Sequence, residues 1–92
     1  MKFEYDPSKS SANQRKHGVS LEKAAFLWQA TGIEIEAKTA DEARSMRIGP
    51  LEGKFYSCVF TRRGETLRLI SARRSREKEE KLYHEHIGRK EN

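Results

Sequence analysis

Apolar residues gather in four short segments, Ala24 to Trp28, Ile33 to Ala37, Phe55 to Thr61 and Leu67 to Ala72, and the spacing in and around each separates helix from strand. Two helices are predicted first. Asp6-Pro7 supplies a cap and a first-position proline for a helix that runs through Asn13 and stops at Lys16-His17-Gly18, where glycine takes the left-handed conformation. Ser20 caps the second, with Glu22 in its first turn, Leu21, Ala24, Ala25 and Trp28 on one face, and Thr31-Gly32 at its end. Phe26 and Trp28 are assigned to packing rather than to base stacking.

From Ile33 onward the period becomes two, because Ile33, Ile35 and Ala37 alternate with Glu34, Glu36 and Lys38. A turn at Thr39-Ala40-Asp41-Glu42 leads into a strand from Ser45 to Leu51, interrupted by Gly49-Pro50. Glu52-Gly53 turns the chain into Phe55 to Thr61, and Arg63-Gly64-Glu65 turns it again into Thr66 to Ala72. Strict alternation there places Leu67, Leu69 and Ser71 on one face and Arg68, Ile70 and Ala72 on the other. Phe3-Glu4-Tyr5 has the makings of a short edge strand. A final helix from Arg74 or Arg76 to Ile87 is only weakly amphipathic, with Leu82, Tyr83 and Ile87 as its apolar positions. The expected fold is therefore α+β: an antiparallel meander of about four strands, packed by two N-terminal helices and a C-terminal helix, in one domain spanning residues 1–92 with 88–92 frayed.

Charge adds a direction to this picture. Lys and Arg outnumber Asp and Glu by 9 to 8 in residues 1–61 and by 10 to 6 in residues 62–92, so the net charge of +5 is concentrated in the final third. A cationic sector favours polyanions, nucleic acid first among them, although it also serves solubility. Cys58 is the sole cysteine, which excludes an intrachain disulfide, fits a reducing compartment, and places a small core residue rather than a nucleophile in a strand. Met1 to Ser10 has no apolar stretch of the kind used for export, so a cytoplasmic protein without a membrane segment is expected.

Several short motifs follow one another along the chain: Phe3-Glu4-Tyr5-Asp6; Asn13 with Lys16-His17-Gly18-Val19-Ser20; Asp41 with Arg44; Thr61-Arg62-Arg63-Gly64; and Arg68-Leu69-Ile70-Ser71-Ala72-Arg73. Their order and spacing over some 70 residues resemble the BrnT toxin family. Tyr5 stands where that pattern usually has Trp, and Arg74-Ser75 where it usually has Lys-Ala. The resemblance implies a compact RelE-like ribonuclease of a type II toxin–antitoxin pair. It also implies a BrnA-like antitoxin with a ribbon-helix-helix domain, a two-toxin, two-antitoxin assembly, and operator DNA contacted through the antitoxin alone.

Metal-independent RNA cleavage requires activation of a ribose 2′-hydroxyl, neutralisation of the phosphorane and protonation of the leaving 5′-oxygen. Guanidinium groups suit the second task, so Arg63 and Arg73 are the first catalytic candidates, with Arg44, Arg47, Arg62, Arg68 and Arg74 as further RNA-binding residues. For proton transfer the candidates are His17, Lys16 beside it, and Tyr83; Glu77 and Glu80 can reach the same surface, and His84 and His86 rank lower. A Lys-His pair is also what a helix C-terminus favours electrostatically. No phosphate-binding loop, dinucleotide fingerprint or metal motif is present in the sequence, so neither a cofactor nor a metal is expected. The competing readings are a basic binding module without catalysis and an inactive copy that acts as co-repressor.

Overall fold

The computed structural model describes residues 1–37 and 43–91, and the side chains of all of these except 89–91. The turn expected at Thr39 to Glu42, and Asp41 with it, lies outside the described residues. The elements are β1 (Lys2–Glu4), α1 (Pro7–His17), α2 (Leu21–Ala24) running into a 3-10 helix (Ala25–Gln29), β2 (Ile33–Ala37), β3 (Arg44–Leu51), β4 (Lys54–Arg63), β5 (Thr66–Arg74) and α3 (Glu77–Glu91).

Both N-terminal helix starts follow from their caps. Asp6 accepts from the Ser8 amide at 2.9 Å with Pro7 at the first helical position, and Ser20 accepts from the Lys23 amide at 3.0 Å. Gly18, at φ 76°, ends α1 in the left-handed conformation. The second helix differs from expectation: only its first turn is α-helical, and the rest tightens to 3-10 geometry. Carbonyls at the end of that tight turn are collected by Arg47, whose Nε donates to Leu27 O at 3.2 Å and whose terminal nitrogen donates to Ala30 O at 2.8 Å. Gly32 permits this approach, since a Cβ there would lie 2.9 Å from Arg47 Nε.

Strands β2 to β5 form the expected antiparallel meander. The sheet as a whole corrects the four-strand antiparallel expectation: its order is β1-β5-β4-β3-β2, and β1 pairs parallel to β5 with Glu4 opposite Arg68. Residues so distant in sequence leave no local signal of their pairing, whereas an exposed β5 edge needs a partner. Beyond β1 that edge is completed by a side chain. Buried Asn13 accepts from the Ala72 amide at 3.2 Å and donates to the Ala72 carbonyl at 2.8 Å, as a neighbouring strand would.

Gly49-Pro50 does not interrupt β3, which is continuous to Leu51. Leu51 and Lys54 flank a two-residue turn with Glu52 at φ 52° and Gly53 at φ 78°, the twist that suits a hairpin. Pro50 therefore directs its nitrogen away from β4, toward the side where β2 has already ended at Ile33 opposite Ile48, and no ladder bond is lost.

A bulge in β5 changes which residues share a face. Val59 pairs with Ser71 but Phe60 pairs with Leu69, so Ile70 is the extra residue. Leu67, Leu69 and Ala72 consequently join Cys58 and Phe60 in the main core under α2 and the 3-10 helix, with Val19, Leu21, Ala24 and Leu27. Ser71, expected with Leu67 and Leu69, belongs to the opposite face. Trp28 packs on Phe60 as expected for a packing residue, while Phe26 is 48% exposed. On the second face α3 sets Leu82, Tyr83 and Ile87 against Ile33, Ile35, Met46, Ile48 and Phe55. Its backbone remains helical through Gly88 to Glu91, within the segment expected to fray.

Candidate functional site

Alternation along the strands, with the bulge included, sorts the arginines onto two faces. Arg63, Arg68 and Arg73 lie on the face that α3 only partly covers, in register with Thr66, Thr61 and Ser57. Arg44, next to Ser45 on β3, falls on the same face. The bulge decides this outcome. Without Ile70 as an extra residue, Arg73 would point with Leu67 and Leu69 and Arg74 would take its place beside Arg68.

Glu4 is part of this surface. Parallel pairing sets it beside Arg68, with carboxylate to guanidinium distances of 3.5 Å to Arg68 and 3.8 Å to Arg63. Its side chain is 40% exposed, against 32% for Arg68 and 64% for Arg63. Exposed Lys2 pairs in register with Thr66, which is opposite Arg63, and extends the same cationic row to the sheet edge.

Arg73 has a different environment. Its two terminal nitrogens each donate to an oxygen of Glu79 at 2.8 Å, a bidentate pair. Glu79 is buried, and it also accepts from the Ser57 hydroxyl at 3.0 Å and from the Arg76 amide at 2.8 Å. Glu79 thus reaches back from the third position of α3 to cap that helix. Burial pushes the Glu79 carboxyl upward, but the hydrogen bonds from Arg73, Arg76 and Ser57 outweigh it and hold the group at about 2. The same partner raises Arg73 above the ordinary arginine value.

Arg63 and Arg73 do not converge on a single phosphate. Their register positions, Arg63 opposite Thr66 and Arg73 opposite Ser57, are six β4 residues apart. At the strand rise this is about 20 Å. Arg73 is also committed to Glu79. Arg63 and Arg68 are close enough to share an anion, with Arg73 further along the same face.

Other predicted site residues lie elsewhere. Arg47 and Arg62 face the opposite side, where both pair with Glu34 and Arg62 lies over Phe60; Arg47 is held in the structural role already described. Arg74, on that side too, lies over Tyr56. Lys16 and His17 are exposed at the end of α1, which follows the β5 edge, and no hydrogen bond or ion pair joins them to Arg63 or Arg73. Tyr83 is buried against Phe55 with its hydroxyl donating to Thr31 O at 3.4 Å, so it serves the packing of α3. Sequence reading missed both carboxylates. Glu79 was legible as the helix residue one turn before Tyr83 and thus on the same inward face; Glu4 had no such signal, because its neighbours come from the other end of the chain.

The arrangement is a small basic α+β domain with guanidinium groups strung along an open sheet face, chemistry suited to an extended polyanion. The model of the BrnT family, described as the ribonuclease toxin of type II toxin–antitoxin systems, matches residues 5–79, and the chain belongs to that family. It is accordingly a ribonuclease toxin with an antitoxin as partner. No curated protein matches the sequence. Among the described residues, no helix is long and apolar enough to cross a membrane.

Proposed function

We propose that this chain is a cytoplasmic RelE-like endoribonuclease that cuts RNA without a metal ion. Its RNA lies along the face that carries Arg63, Arg68 and Arg73. The observation that supports this reading is the common facing of those arginines, with Arg63 and Arg68 on a part of the sheet that α3 leaves open. A guanidinium keeps its charge at any physiological pH and offers paired donors to phosphate oxygens, so Arg63 and Arg68 stabilise the dianionic phosphorane. Arg73, neutralised by its bidentate pair with Glu79, ties α3 to the edge of the site and leaves phosphate binding to Arg63 and Arg68. Attack by the 2′-oxygen then leaves a 2′,3′-cyclic phosphate. The antitoxin is a BrnA-like ribbon-helix-helix protein in a two-to-two assembly, and it carries the operator contacts.

Cleavage of end-labelled RNA by the isolated chain in EDTA tests this. Products with 2′,3′-cyclic phosphate ends are expected. Tight binding without cleavage would establish the binding module instead, and cleavage that appears only with added divalent metal would remove the metal-free mechanism.

A further inference from the structure

We propose that Glu4 is the general base of this cleavage, a role that rests on the ribonuclease reading above. Its carboxylate is placed between Arg63 and Arg68 on the open part of the sheet, where a phosphate gripped by those two groups brings its ribose alongside.

Glu4 differs from two other carboxylates paired with arginines of the sheet, Glu79 and Glu34. Glu79, the other carboxylate among these arginines, is buried and saturated by four hydrogen bonds, from Arg73 twice, Ser57 and Arg76. Glu34 is on the opposite face, occupied by Arg47 and Arg62. Glu4 meets its arginines only at 3.5 and 3.8 Å, the distances of loose ion pairs, so its oxygens keep lone pairs directed to solvent and to an incoming hydroxyl.

A purely structural role explains Glu4 poorly. Exposed ion pairs contribute about 0–1 kcal/mol, and backbone pairing already joins β1 to β5. For a surface that only binds RNA, a carboxylate between two phosphate-gripping arginines is a liability, because it repels the ligand. The repulsion is tolerable where the negative group performs chemistry.

Glu4 takes the proton from the 2′-hydroxyl as the 2′-oxygen forms its bond to phosphorus; the bond from phosphorus to the 5′-oxygen breaks, and that oxygen takes a proton from water. Glu4 then returns its proton to solvent, leaving the enzyme unchanged.

The test is single-turnover cleavage of a short RNA in EDTA by the wild-type chain, Glu4→Gln and Glu4→Asp, with RNA affinity and melting temperature measured on each. Glu4→Gln is expected to slow cleavage by about 100-fold, with RNA binding unchanged or tighter and the same melting temperature. Glu4→Asp should retain an intermediate rate. If the wild type cuts and Glu4→Gln is slower by less than about tenfold, or loses binding in proportion to rate, the base assignment is overturned while the ribonuclease reading stands. A wild-type chain that binds RNA without cutting it overturns both.

Discussion

Replacing Glu79 by Ala removes four hydrogen bonds at once and leaves the Arg73 guanidinium, 26% exposed, without its counter-ion. The carboxyl is held at about 2 against an ordinary 4.5. That difference corresponds to about 3 kcal/mol, in line with the roughly 3–5 kcal/mol observed when one partner of a buried pair is deleted. For a chain of this size the melting temperature should fall by about 15 °C. Because the folded-state value is depressed, this stabilisation is full above about 4.5 and is lost as the pH falls toward about 2. At pH 3 about 2 kcal/mol of it has gone. Urea unfolding of the wild type and Glu79→Ala at pH 7 and pH 3 measures both quantities. The gap between them should be about 3 kcal/mol at pH 7 and about 1 kcal/mol at pH 3. A gap below about 1 kcal/mol at pH 7, or one that does not narrow in acid, refutes the assignment of Glu79 as the anchor of Arg73 and α3.

Two further expectations concern the other face. Asn13→Ala strands the buried amide and carbonyl of Ala72 and the carbonyl of Val19; thermal unfolding should show a loss of about 3 kcal/mol, and a loss under about 1 kcal/mol would mean that water completes that edge instead. Burial pushes the Cys58 thiol up to about 12, so at pH 8 it should react with a thiol reagent only at the rate of unfolding. Rapid labelling of the native protein would contradict its placement in the core.

How much was legible in the sequence varies with the range of the forces involved. The starts of α1 and α2 and the end of α1 were readable, because Asp6, Ser20 and Gly18 satisfy or relax backbone groups within a turn of themselves. The β2 to β5 meander was readable from alternation and turn residues. Three features were not. The tightening after Ala24 depends on Arg47 reaching from β3, the β1 pairing depends on residues at opposite ends of the chain, and the bulge at Ile70 depends on how β5 fits β4 and the core beneath it. The bulge mattered most for the site. Strict alternation joins Arg68 with Arg74, whereas the structure joins it with Arg73 and turns Arg74 onto Tyr56. Composition announced a cationic C-terminal third but carried no information about which arginines were already paired with Glu34 or Glu79.

The division of the arginines between two faces is the claim on which the functional account depends, and RNA cleavage by two double variants tests it directly. Arg63→Ala with Arg68→Ala should lower the cleavage rate by at least about 100-fold, while Arg62→Ala with Arg74→Ala, from the opposite face, should stay within a fewfold of wild type. Equal losses in both, or full activity in the first, would place the RNA elsewhere on the protein.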